Sequence, residues 1–383
     1  MRLVCAALIA ASIAACGQST PTPPPEPVPA SLQQLSPFYG SYANEGGDVV
    51  VVARLGWFFD MRTAAYRTIY STSNPARFTI GPRFLEPDPK LADLSFSGHT
   101  LTIAESGHVT MWQHIAYRET MVAIPAAGAE LAGAMTVPLG PGPHPGIVIV
   151  HGAERGERHF YDVWVGVYAS LGFAVLTYDK RGVGASTGTY PGESPTPEAL
   201  DVYADDAAAA RDFLARQAGV DSTRVGFHGG SQGGWTVPLA ILRHHAGAFA
   251  VLASAPATTV GQTDLWASFT DGGASPATQT EDQMLESVRA AGGGYDPRTA
   301  LQALTVPALW VLGTNDRTVP TAVCVELLSA MHKPNFTVHL VPTGHGLLVN
   351  PTGMLADDNR SPGLAPDLVP TLKDWLENEV KAA

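Results

Sequence analysis

The sequence predicts an α/β fold: a mostly parallel sheet flanked by helices, carrying a small helical cap and preceded by a small antiparallel β-domain. Two patterns and the chain length carry this reading. From about residue 120, short apolar runs recur as GIVIV (146–150), AVLTY (174–178), RVGFH (224–228), AFAVLA (248–253), ALWVLG (308–313) and FTVHLV (336–341). Amphipathic stretches such as 198–217 and 321–331 lie between them, and strand–helix alternation gives a parallel sheet covered on both faces. Residues 36–119 instead show β-branched and aromatic runs separated by Gly, Asn and Pro clusters, the pattern of antiparallel strands. At 383 residues and 45% hydrophobic, the chain can bury one large core and a smaller one.

Composition removes whole classes of function. Lys+Arg 23 against Asp+Glu 35 gives a net charge of −12, and no basic run occurs. A polyanion needs phosphate-neutralising cations, so no nucleic-acid partner is expected. The longest apolar stretch falls short of the roughly 20 residues that span a bilayer as a helix. HExxH, CxxC and GxxxxGK[ST] patterns are absent, and no metal or organic cofactor is expected.

Residues 1–15 read as an address. Arg2 gives a basic start, an apolar stretch follows from Leu3 to Ala14, and Ile13-Ala14-Ala15-Cys16 closes it. This resembles a bacterial lipoprotein signal, in which Cys16 would be acylated and become the new N-terminus; a plain secretory signal is the competing reading. Residues 16–35, rich in proline, read as an extended tether. Membrane contact through lipidated Cys16 follows from that resemblance, since two or three acyl chains anchor stably where one does not. By resemblance to enterobacterial sorting, Gly17 rather than Asp after the cysteine permits the outer membrane, and the face toward the periplasm is the expected location; otherwise the protein is secreted. Cys5 leaves with the signal and Cys16 would be lipidated, so Cys324 alone remains in the mature body and forms no internal disulfide. Its helical setting makes it a buried apolar residue.

In the β-rich region, the runs DVVVVARLGWFFDM, RFTIG, LADLSFSG, HTLTIA and HVTMWQHIAYRE supply strands. His99, His108 and His114 lack metal-ligand spacing and read as ordinary sheet or surface histidines. After it, VAIP and LAGAMTVP form an antiparallel edge hairpin before the first buried strand.

Two segments fit Gly-x-Ser-x-Gly. A nucleophile elbow requires a strand before the serine and a helix directly after it. Ser231 has both, RVGFH before and WTVPLAILRHH after. Ser186 is followed by TYPGESPTP, which starts no helix, and is a decoy. A serine hydroxyl needs a base oriented by an acid. Chain order and strand ends select Asp316, in TNDRTVP after ALWVLG, and His345, in PTGHG after FTVHLV. Asp296 and Glu281 compete for the acid, but neither follows a strand. Two backbone donors must meet the oxyanion. One is the N–H of Gln232, and the other belongs to the loop His151-Gly152-Ala153-Glu154-Arg155 after GIVIV.

HG after a buried strand, then YDKRGVGAST, GGSQGG, LGTNDRTVP and GHG, in this order over residues 120–383, resemble the α/β-hydrolase superfamily. The branch they resemble is that of dienelactone-hydrolase and prolyl-oligopeptidase-like esterases. The resemblance implies an α/β-hydrolase fold and an Ala153 N–H as the second oxyanion donor, with Gly152 close behind. It implies a loop-fixing role for His151 and a buried ion-pair turn for Asp179, Lys180 and Arg181. His228 reads as strand-end packing. The β-rich region resembles small meander domains of secreted serine hydrolases. Arg155, Glu157, Arg158 and His159 depart from the glycine-rich loops of such relatives, leaving two readings, substrate contact or a solvated loop.

Residues 257–305, too long for a simple connection, form the cap. The expected reaction is cleavage of a small-molecule carboxylic ester through a Ser–His–Asp triad and an acyl-enzyme. A prolyl-oligopeptidase-type peptidase is the alternative, though a region of residues 36–119 is too small for a propeller. A lipid-anchored binding protein without activity is the third reading. The sequence sets no oligomeric state.

Overall fold

The computed structural model describes residues 27–382. Cys16, the signal segment and the first part of the tether lie outside them.

Helix α1 (Leu32–Leu35) opens the described chain, capped by Ser31 with Gln34 reaching back in a capping box. Strands β1 (Gly40–Ala43), β2 (Val49–Val52), β3 (Trp57–Asp60), β4 (Tyr66–Ser71), β5 (Arg77–Ile80), β6 (Ala92–Ser97), β7 (Thr100–Glu105) and β8 (His108–His114) then follow as a meander. The meander closes into a barrel where β1 meets β8 through Tyr42↔His114 and Ala43↔Gln113. Side chains alternate across the barrel wall. Val50, Val52, Phe58, Ile69, Leu94, Leu101 and Trp112 fill the interior. Val51 and Phe59 point the other way, into the second domain.

Two boundaries differ from the sequence reading. The tether ends before residue 28, not at 35. Ala30 N–H donates to Ile69 O at 2.8 Å and Ser71 N–H to Val28 O at 2.9 Å. Leu35 is fully buried in the barrel core. Proline-rich composition does predict extended chain here, but extended chain also serves as a strand edge, and Pro29 bridges Tyr70. The β-rich region likewise ends before 119, because β9 (Tyr117–Ala126) already belongs to the second sheet. HVTMWQHIAYRE reads as one run, yet the chain leaves the barrel within it without a change of composition.

The second domain continues with β10 (Ala129–Pro138), β11 (His144–Val150), α2 (Asp162–Ser170), β12 (Ala174–Tyr178), α3 (Pro197–Ala215), β13 (Val220–Gly230), α4 (Gly233–His244) and β14 (Ala250–Ala253). Next come α5 (Val260–Ser268), α6 (Glu281–Ala290), α7 (Arg298–Ala303), β15 (Ala308–Gly313), α8 (Thr321–Ala330), β16 (Phe336–Val341), α9 (Leu355–Asp358) and α10 (Leu368–Leu376). The sheet has eight strands in the order β16-β15-β14-β13-β11-β12-β10-β9. Its strands are parallel from β16 to β12, and β9–β10 is the antiparallel edge hairpin. Alternation along β11 builds the two apolar layers: Val148 and Val150 join α3 and α4 on one face. Ile147 and Ile149 join α2 and α10 on the other. This is an α/β-hydrolase fold behind an antiparallel barrel.

The domains are tightly joined. A side-chain carbon on Gly166 of α2 would stand 2.5 Å from Val51 Cγ1, so only glycine lets the barrel wall lie on that helix. Nearby, Arg54 of the barrel binds Asp162 of α2 at 3.0 Å and Glu119 of β9 at 2.6 Å. Its guanidinium also stacks 3.5 Å from the Tyr39 ring centre.

Candidate active site

The carboxyl ends of the parallel strands lie along one edge of the sheet, where ligands bind in open α/β folds. Ser231 leaves β13 at that edge and enters α4 at once. Its φ is +49°, a left-handed value that a serine adopts only when its surroundings enforce it. Ser231 N–H is held by Ala253 O at 3.0 Å and Gly234 N–H by Ser231 O at 2.8 Å. The turn tolerates no bulk behind it, for a side-chain carbon on Gly229 would stand 2.9 Å from Val237 of α4.

His345 Nε2 lies 3.1 Å from Ser231 Oγ, and its Nδ1 lies 2.8 Å from Asp316 Oδ2. The other Asp316 oxygen accepts from Thr318 N–H at 2.7 Å and Val319 N–H at 2.8 Å. Asp316 is buried, while the His345 side chain keeps 28% of its surface exposed. Burial disfavours the imidazolium, but the charge of Asp316 and its hydrogen bond outweigh this and raise the His345 pKa above 6.5. The competing acids are committed elsewhere: Asp296 to Arg298 and Glu281 to Arg317. Ser186 is buried, donating to Asp179 O at 2.7 Å and accepting from Ala132 N–H at 2.9 Å.

The β11 loop abuts Ser231. A side-chain carbon on Gly152 would stand 3.3 Å from Ser231 Cβ and 2.6 Å from Glu154 Oε2. Gly152 N–H donates to Tyr161 Oη at 3.1 Å, and Tyr161 donates onward to Glu154 Oε1 at 2.7 Å. That commitment takes Gly152 N–H out of contention for an oxyanion. Gln232 and Ala153 N–H make no hydrogen bond to another described residue. His151 ties the same loop to Tyr178 O and Glu154. Burial opposes the charge of Glu154, but hydrogen bonds from His151 and Tyr161 hold its carboxyl below the usual range.

In the charged segment that follows, Arg158 and His159 are used in packing, while Arg155 and Glu157 are exposed. Arg158 pairs with Asp179 at 2.7 Å, and His159 Nδ1 meets Arg54 Nη1 at 3.1 Å. Arg155 lies exposed over the Tyr190 ring. In the YDKRG turn, Asp179 and Arg181 are ion-paired, the latter to Asp206. Lys180 departs from the ion-pair expectation and donates to Gly152 O at 2.6 Å. Burial lowers its pKa to about 8. Lys180, Tyr161 and Glu154 were not legible as site residues. The one local signal is a lysine two residues beyond the wholly buried strand β12.

His228 is buried against Trp164 and 2.8 Å from Tyr168 Oη, and burial pushes its pKa down to about 4. Cys324 is buried under Ala257, and burial pushes its thiol up to about 11, far from a reactive thiolate. In the insertion, α5 and α6 pack Trp266, Met284, Leu285 and Val288 on Val323 of α8. Trp266 Nε1 donates to Asp316 O at 3.0 Å, tying the insertion to the acid's loop. Among the described residues no group of three or more His, Cys, Asp or Glu side chains is placed to hold a metal ion.

Fold and site together define a serine hydrolase of the α/β-hydrolase fold. Residues 159–348 match the prolyl oligopeptidase family. No curated protein matches. Among solved structures, an esterase from Pyrococcus furiosus is similar at 15% identity and a TM-score of 0.50, over 70% of this chain and 94% of its own. An acylaminoacyl peptidase from Pyrococcus horikoshii is similar at 14% identity and a TM-score of 0.49, over 91% of this chain and 57% of its own.

Proposed function

We propose that the protein hydrolyses carboxylic esters, with Ser231 as nucleophile, His345 as general base and acid, and Asp316 as the orienting acid. The observation that carries this is the unbroken chain from Ser231 Oγ through His345 to buried Asp316, at 3.1 and 2.8 Å, beginning at a strained strand–helix turn. His345 Nε2 takes the hydroxyl proton as Ser231 Oγ bonds to the ester carbonyl carbon. The N–H groups of Gln232 and Ala153 receive the negative oxygen. Collapse expels the alcohol, which takes the proton from His345. Water then repeats the sequence on the acyl-enzyme and releases the acid, regenerating Ser231.

The family match favours a second reading, a peptidase with the same machinery. The size and closure of the N-terminal barrel favour the ester: among the described residues no propeller stands beside this site to restrict entry to short peptides. Turnover of p-nitrophenyl esters of rising acyl length beside aminoacyl and prolyl anilides, with Ser231→Ala as blank, separates the two. Ester turnover lost in the variant supports the proposal, and anilide turnover without ester turnover replaces it with the peptidase. We also propose acylation of Cys16 and attachment to the bacterial cell envelope, supported by the Ile13-Ala14-Ala15-Cys16 sequence. Mass measurement of the mature N-terminus tests this, an unmodified residue there contradicting it.

A further inference from the structure

We propose that Lys180 is a positioning residue that orients and polarises the Gly152–Ala153 peptide, whose N–H receives the oxyanion. The inference rests on the serine-hydrolase reading above, in which Ala153 N–H is one of the two donors.

The carbonyl of Gly152 and the N–H of Ala153 belong to the same amide. A peptide unit is rigid and trans, so its C=O and N–H point in opposite directions. Lys180 Nζ donates to that carbonyl at 2.6 Å, a short charge-assisted bond. Fixing the oxygen fixes the direction of the N–H on the far side. The preceding peptide is fixed as well, through Gly152 N–H on Tyr161 and Tyr161 on Glu154. Gly152 is therefore clamped on both sides while it abuts Ser231.

Position is half of the effect. A cation on an amide oxygen draws electron density from the nitrogen and makes its N–H a stronger donor, as hydrogen bonds in series polarise one another. The polarised N–H acts on charge that develops only in the transition state, which is where such stabilisation accelerates a reaction.

A purely structural lysine is a poor account of this arrangement. Lys180 is 3% exposed, and among the described residues no carboxylate lies within ion-pair distance of it. Glu154 and Glu193 act on it only through space, and the Tyr203 ring lies 4.7 Å from Nζ. Burying an ammonium costs several kcal/mol unless geometry repays it, and an apolar side chain of similar length would fill the volume without that cost. Asp179 and Arg181 on either side have ion-pair partners, so a charge spent on one backbone carbonyl stands out.

The test uses the full-length protein with Ser231→Ala, Lys180→Met, Lys180→Gln and Lys180→Arg. It compares ester kcat and KM with affinity for a trifluoromethyl ketone, which forms the tetrahedral oxyanion, and for the corresponding methyl-carbinol, which does not. Loss of one oxyanion donor costs about 10²–10³ in kcat, so loss of its polarising partner is expected to cost about 10–100-fold. Lys180→Met should show that loss in kcat with KM within about twofold, and a matching loss for the ketone but not the carbinol. Lys180→Arg, which keeps the charge, should recover most of it. Lys180→Gln, whose neutral amide keeps a donor without the charge, should lie between, and carries the test if Lys180→Met does not fold. Unchanged kcat in either neutral variant, or equal losses for ketone and carbinol, overturns the proposal while an inactive Ser231→Ala leaves the site reading intact. Retained activity in Ser231→Ala overturns both.

Discussion

Replacing Asp316 by asparagine changes one atom's charge and hydrogen-bonding sense, and the structure dictates which way the new amide faces. Oδ1 accepts from both Thr318 and Val319 N–H, so the asparagine carbonyl must take that place and its NH2 must face His345 Nδ1. A donor opposite Nδ1 forces that nitrogen to be the acceptor. The ring proton then sits on Nε2, aimed at Ser231 Oγ across the 3.1 Å contact. A protonated Nε2 cannot accept the serine proton. The expected loss is about 10⁴ in kcat, the scale of such a tautomer reversal in serine proteases, equivalent to about 5 kcal/mol of transition-state stabilisation. KM should change little, because Asp316 is buried away from substrate. Steady-state kinetics on a p-nitrophenyl ester reads this directly, with thermal unfolding to confirm the fold. A kcat within tenfold of wild type, in a folded protein, would refute the reasoning.

Other consequences follow from single geometric facts. With neutral His345 as the proposed base and its pKa raised above 6.5, kcat/KM should rise with pH through an apparent pKa above that value. A limb below 6.5 would contradict the pairing with Asp316. By linkage the same pair adds stability below about 6.5 and loses it as pH rises through the raised value. Arg54→Met leaves buried Asp162 without its 3.0 Å partner and should destabilise the protein by about 3–5 kcal/mol in urea unfolding. A change under about 1 kcal/mol would show that the barrel–hydrolase junction does not depend on this network. Gly152→Ala places a carbon 2.6 Å from Glu154 Oε2 and 3.3 Å from Ser231 Cβ, so the Glu154 carboxylate must move and disturb its bonds to His151 and Tyr161, which hold the loop. A shift near 1 Å there predicts about a hundredfold loss of kcat, and wild-type kinetics in this variant would contradict the tight approach.

Much of the candidate site was legible because each of its side chains follows a strand. Ser231, Asp316 and His345 stand at the ends of β13, β15 and β16, and apolar runs mark those strands locally. Distinguishing Ser231 from Ser186 needed only the helix after the motif. What escaped detection was non-local. Barrel closure rests on the pairing of Tyr42 with His114 and Ala43 with Gln113, residues too distant in sequence for any local pattern to join. Strands β1 and β4, GSYA and YRTIYS, mix small, polar and aromatic residues without a clear alternation. Pro29 and Ala30 looked like tether because proline favours extended chain in linkers and at strand edges alike. Lys180 looked like its ion-paired neighbours until the fold brought the β11 loop over it.

The central claim is that Ser231 alone is the activated serine of this chain. Incubation of the full-length protein with a fluorophosphonate, followed by peptide mass spectrometry, tests it most directly. The account predicts about one phosphonyl group per chain, on the peptide carrying Ser231, and none in His345→Ala, because only a serine with a base in reach reacts. Label on Ser186 or elsewhere, or no label on the folded protein, would contradict it.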